Sequence, residues 1–151
     1  TDPIVEKAIR AELKNPEGQL TEADLEKVTR LSLIDEQLTD VKGLEKLTQL
    51  NQLWLDGTQL TDVTGLENLT QLKVLILSRN QLTEVPKGLE KLTQLRSLYL
   101  GNNKLTNLKG LEKLTKLTDL DLAFNYALTY AQIDELQKAL PECLIYSNPA
   151  N

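Results

Sequence analysis

Leucine returns along residues 28–127 at a fixed spacing, L-x-x-L-x-L-x-x-(N)-x-L, and the positions between are mostly polar. The first copy starts at Val28 and continues through Leu31, Leu33, Glu36 and Leu38. The second has Leu50, Leu53, Leu55, Thr58 and Leu60, and the third Leu72, Leu75, Leu77, Asn80 and Leu82. Leu95, Leu98, Leu100, Asn103 and Leu105 form the fourth; a fifth, Leu117, Leu120, Leu122 and Asn125, then leaves the frame. The L-x-L step puts two leucines on one side of a short strand, because strand side chains alternate between faces. Later leucines such as Leu66 and Leu69 lie three apart, which predicts a turn of 3₁₀ or α-helix facing the same core.

Copies starting at 28, 50, 72, 95 and 117 are separated by steps of 22, 22, 23 and 22 residues, the period of leucine-rich repeats. The predicted fold is an α/β solenoid. A curved parallel sheet forms its concave face, short helical or 3₁₀ segments form its convex face, and leucines fill the interior. One coil cannot bury its own apolar face, so the array is stable only as a stack. Asn80, Asn103 and Asn125 fall where the chain leaves each strand, and there a buried amide satisfies backbone groups of adjacent coils. Thr58 can do part of this with one hydroxyl, and Glu36 is a poorer substitute suited to an end coil. The 23-residue step comes from "TEVPKGL" at 83–89 against "TDVTGL" at 61–66, where Pro86 starts a new turn and adds one convex residue.

Both ends need caps. Asp2 and Pro3 read as an N-cap and first helical position, followed by a helical stripe of Ile4, Val5, Ala8, Ile9 and Leu13. Asn15, Pro16 and Gly18 break that helix, and "TEAD" at 21–24 opens a second. At the far end Thr129 and Gln132 form a capping box, Ile133, Leu136 and Leu140 face one way, and Pro141 ends the helix. "CLIY" at 143–146 reads as a final strand with Cys143 as a small buried apolar residue. The whole chain, 1–151, is expected to be one domain: a helical cap over 1–27, about five repeats over 28–127, and a helix-strand cap over 128–151.

The copies agree where they make core and disagree on the outward positions of the strands. The central outward position reads Ser32, Trp54, Ile76, Tyr99 and Asp121, with Val74 beside Ile76. Parallel strands lie about 4.8 Å apart, so Trp54, Ile76 and Tyr99 are expected to form one apolar stripe. Asp56, Arg79 and Arg96 fall near its edges, and Asp119 and Asp121 close its C-terminal end. An aromatic centre with a charged rim is the composition of a protein-binding hot spot. Phe124 and Tyr126 sit in the descending turn of the last coil, where they either extend this face or cover the coil. The Glu-Lys pairs 45–46, 90–91 and 112–113 read as solubilising convex surface.

Composition excludes several other roles. The formal charge of −5 disfavours nonspecific binding to nucleic-acid phosphates and anionic lipid. No apolar run approaches the roughly 18 residues that span a bilayer, so no membrane insertion is expected. The chain has no histidine and a single cysteine, which removes the commonest general base and any internal disulfide or thiolate metal site. Asp119 and Asp121 alone supply too few ligands for calcium and lack a catalytic partner. No enzyme activity, metal or cofactor is expected.

The repeats, together with the entry "LTEADLEKVTRLSL" and the exit "LTYAQIDELQKALPECLIY", resemble bacterial leucine-rich repeat proteins of the internalin-like, 22-residue class. Members of that class commonly bind proteins, and internalins bind host receptors through the concave sheet; an immunoglobulin-like domain follows their repeats. The resemblance implies a non-catalytic module with a protein or peptide ligand, in a secreted or cell-envelope setting. Two other readings stay open: a structural spacer or homo-oligomerising element using the same stripe, and a glycan-binding face with Trp54 and Tyr99 as sugar platforms.

Overall fold

The computed structural model describes residues 2–38 and 40–149. Helix α1, Pro3–Leu13, begins where the Asp2 side chain accepts the Ile4 N–H at 2.8 Å, and Pro3 occupies the first turn. Val5 and Ile9 are buried against the first coil, with Ile4, Ala8 and Leu13 partly buried beside them. Helix α2, Glu22–Leu25, is a single turn closed by a reciprocal capping box between Thr21 and Asp24.

Among the described residues, six three-residue strands then stack in sequence order into one parallel sheet. They are β1 Arg30–Ser32, β2 Gln52–Trp54, β3 Val74–Ile76, β4 Ser97–Tyr99, β5 Asp119–Asp121 and β6 Leu144–Tyr146. The convex side carries four 3₁₀ turns, Leu44–Lys46, Leu66–Asn68, Leu89–Lys91 and Leu111–Lys113. A glycine with positive φ precedes each: Gly43, Gly65, Gly88 and Gly110. The repeating leucines make one continuous core, and the middle leucine of each triplet from Leu53 to Leu120 is fully buried.

The polar positions of the repeat bind the coils together. Asn80 Nδ2 donates to Leu55 O and Leu77 O, and its Oδ1 accepts from the N–H groups of Thr58 and Leu60. Asn103 donates to Leu77 O and Leu100 O and accepts from Leu82 N–H; Asn125 donates to Leu100 O and Leu122 O and accepts from Leu105 N–H. Thr58 donates its one hydroxyl proton to Leu55 O at 2.8 Å, while Glu36 at the end coil is exposed. Each amide thus supplies partners to backbone groups that the narrow coil would leave orphaned.

The convex Glu-Lys surface is less idle than its polarity suggests. Glu45, Glu67 and Glu112 turn their carboxylates back onto the N–H of Gly43, Gly65 and Gly110 at 2.7, 2.7 and 2.9 Å. Upstream, the Oδ1 of Asp40, Asp62 and Asn107 accepts the N–H two residues on. Pro86 stands at the corresponding position in the third repeat and has no N–H to give. The longer "TEVPKGL" loop keeps the bond that closes the other turns: Leu89 N–H donates to Pro86 O at 3.2 Å, as Leu44, Leu66 and Leu111 donate to Val41, Val63 and Leu108.

Candidate functional site

Register decides which outward side chains meet. Ser32, Trp54, Ile76, Tyr99, Asp121 and Tyr146 are successive strand partners and form one row across the sheet. Arg30, Gln52, Val74, Ser97, Asp119 and Leu144 form the second row. Trp54, Ile76 and Tyr99 therefore lie side by side, each half-buried by its neighbours and open on its outer side, with Val74 next to Ile76. They share the sheet with Leu53, Leu75 and Leu98, which point the other way and are fully buried.

The charged residues divide. Arg30 lies over the Trp54 ring, its guanidinium carbon 6.0 Å from the centroid, and its Nε is 3.8 Å from Glu12 Oε1. At the rim where the strands end, Arg79 Nη2 bonds Asp56 Oδ2 at 2.8 Å and Asp35 Oδ1 at 3.1 Å. The hydrogen bond to Asp56 and the charge of Asp35 raise the Arg79 pKa above its ordinary value. Arg79 and Asp56 therefore neutralise each other within the chain, where the sequence alone places them only as separate rim charges. Arg96 sits just before β4 and is exposed.

At the C-terminal end Asp119 and Asp121 occupy the two outward positions of β5. Asp121 Oδ1 accepts the Ala123 N–H at 2.9 Å, and Asp119 Oδ2 accepts the Thr118 hydroxyl at 3.2 Å. Leu144 and Tyr146, 53% and 51% exposed, prolong the same face beyond them. The repeat frame does not reach these two, because β6 lies outside it; only the continuous apolar run "CLIY", read as a final strand, points to them. Phe124 and Tyr126 are exposed and meet edge to face, with ring centroids 6.3 Å apart. The Asn148 side chain accepts the Phe124 N–H, which ties this turn to the tail after β6. Cys143 is buried behind the sheet, and burial first, then the charge of Asp119, pushes its thiol pKa up.

Among the described residues there is no group of three or more His, Cys, Asp or Glu placed to hold a metal. No helix among them is long and apolar enough to cross a membrane. A groove of about 620 Å³ lies away from the sheet, between the last 3₁₀ turn and the cap helix α3, Tyr130–Ala139; Asn107, Lys109, Glu112 and Gln132 line it.

Two overlapping matches to the family described as "Leucine Rich repeats (2 copies)" cover residues 70–113 and 93–138. Among solved structures, the internalin InlF of Listeria monocytogenes superposes with a TM-score of 0.86 at 29% identity. That match covers 99% of this chain and 45% of InlF. The chain is an internalin-like leucine-rich repeat protein. A leucine-rich repeat protein of Leptospira interrogans is 32% identical with a TM-score of 0.74, over 84% of this chain and 33% of its own. The functional domain of InlJ from Listeria monocytogenes is 26% identical with a TM-score of 0.65, over 84% of this chain and 26% of that one. No curated protein sequence matches significantly. This chain thus spans less than half the length of each of these three solved relatives. Internalin-like repeat proteins are non-enzymatic scaffolds for protein–protein interaction, and the leucine-rich repeat fold commonly serves that purpose.

Proposed function

We propose that the concave sheet face of this chain is a protein-binding surface, with Trp54 and Tyr99 as its anchors and Ile76 between them. The observation that carries this reading is the strand register, which sets three large, partly exposed apolar side chains in one unbroken row. The interior is already filled by leucine, so folding places no demand for a tryptophan or isoleucine at these outward positions. Large, rigid aromatic groups at the centre of a contact are what interface hot spots are built from. Arg96 supplies an exposed rim cation, and the Arg79–Asp56 pair supplies a fixed polar edge that orients the ligand.

The test uses a protein or peptide selected for binding to the whole chain. Trp54→Ala and Tyr99→Ala are expected each to weaken its affinity by about 1–3 kcal/mol, the range of interface anchors, without changing the fold. Lys46→Ala and Lys113→Ala, on the convex side, are expected to leave affinity unchanged. Folded Trp54→Ala and Tyr99→Ala variants that retain full affinity would remove this face from consideration. Light scattering separates foreign ligands from self-association: a dimer that dissociates on Trp54→Ala would assign the stripe to a second copy.

A further inference from the structure

The two ends of the concave face differ in how their charge is balanced. At the N-terminal end Arg30 is paired with Glu12 and rests on Trp54. At the descending rim Arg79 serves Asp56 and Asp35. At the C-terminal end Asp119 and Asp121 stand on one face of β5, and neither lies within ion-pair distance of a cation among the described residues. That end of the face carries two carboxylate charges that no cation among the described residues pairs with.

Its surroundings are shaped as well as charged. Tyr99 is the strand partner of Asp121 on one side and Tyr146 on the other, so a carboxylate sits between two aromatic residues. Asp119 lies between Ser97 and the exposed Leu144 in the same way. Asp121 is held in place. Its Oδ1 takes the Ala123 N–H, and its Oδ2 lies so close over Gly101 that a Cβ there would meet it at 3.0 Å. A cation placed above Asp121 would meet a fixed carboxylate below and a tyrosine ring on each side, combining charge pairing with cation–π attraction.

We infer that this end of the face receives a lysine or arginine side chain of the partner. The ligand is then a protein segment lying across the strands, apolar over Trp54, Ile76 and Tyr99 and basic where it passes Asp119 and Asp121. This rests on the concave-face reading above and gives it a direction and a charge. A segment carrying acidic residues at that end would meet two unpaired carboxylates and be rejected, which is how like charge enforces specificity.

A displayed library of random peptides is the probe, panned against the whole chain, against the double variant Asp119→Asn/Asp121→Asn, and against Trp54→Ala. Asparagine keeps the shape of each side chain and an acceptor for Ala123, and thermal unfolding verifies that all three proteins are folded. The unaltered chain is expected to enrich peptides with an apolar run flanked on one side by lysine or arginine. The double asparagine variant is expected to enrich the same run without the basic flank. It should bind the original peptides roughly tenfold more weakly, as the loss of a charge-assisted contact predicts. That gap should narrow at high salt. Basic flanks enriched equally on both proteins, or absent from the peptides of the unaltered chain, overturn the inference and leave the apolar face standing. Peptides whose enrichment survives Trp54→Ala unchanged remove the concave-face reading itself.

Discussion

Arg30 reaches from β1 across the ring of Trp54 on β2, its guanidinium carbon 6.0 Å from the ring centroid. Trp54 is the chain's single tryptophan, so its fluorescence reports this face directly. Arg30→Ala is expected to raise acrylamide quenching of Trp54 and shift its emission to the red. Stability should change by less than about 1 kcal/mol, because an exposed cation–π contact is weak. Unchanged quenching would show that Arg30 does not cover the ring in solution.

The asparagine ladder makes a second prediction. Asn103→Ala would leave the Leu82 N–H without its partner deep between coils, and would take from Leu77 O and Leu100 O one of the two amide donors that each receives. With the orphaned N–H costing about 1–3 kcal/mol and each of the two lost carbonyl bonds about 0.5–1.5 kcal/mol, urea unfolding should show a loss of about 2–4 kcal/mol. A loss below about 1 kcal/mol would mean that water or a shifted backbone replaces the amide.

Two glycines in equivalent turns should respond differently to alanine. Both carry positive φ, 86° at Gly88 and 101° at Gly110, so alanine strains the backbone at either site. A Cβ at Gly88 would meet Glu67 Cβ at 2.8 Å, whereas one at Gly110 meets nothing within 4 Å. Gly88→Ala is therefore expected to lower the melting temperature clearly more than Gly110→Ala. Equal shifts would contradict the close packing of the second and third convex turns.

Much of this architecture is legible in the sequence because a solenoid converts spacing into position. Leu53, Leu75 and Leu98 fix the strands, and the residues after them, Trp54, Ile76 and Tyr99, then have to share a row. The asparagine turns follow from the same frame. What escapes the frame is side-chain reach. Arg30 over Trp54, Arg79 bridging Asp56 and Asp35, and Glu45, Glu67 and Glu112 folding back onto glycine N–H groups depend on rotamers that a period does not specify. Leu144 and Tyr146 escape it because β6 follows a cap helix rather than a repeat.

Acid should weaken the fold in a way that one aspartate reports. Asp62 accepts the hydroxyl and then the backbone N–H of Thr64, and these bonds hold its pKa below the ordinary carboxylate value. Asp24 is lowered similarly by the Thr21 N–H and hydroxyl. In the unfolded chain both take up protons near the ordinary value of about 3.9. Their contribution is complete above that pH and disappears as pH falls through the lower folded-state values. Urea unfolding between pH 7 and pH 2 should decline more gently below about pH 4 in Asp62→Asn than in the unaltered chain. Superimposable profiles would contradict the assignment.

The most direct measurement is the map of amide NMR shifts when a selected ligand is titrated into the labelled whole chain. Shifts concentrated in Gln52–Trp54, Val74–Ile76, Ser97–Tyr99 and Asp119–Asp121, with little change at the convex turns Leu44–Lys46 and Leu111–Lys113, are the predicted result. Shifts confined to the convex turns or to the groove beside α3, with the strands silent, would contradict it.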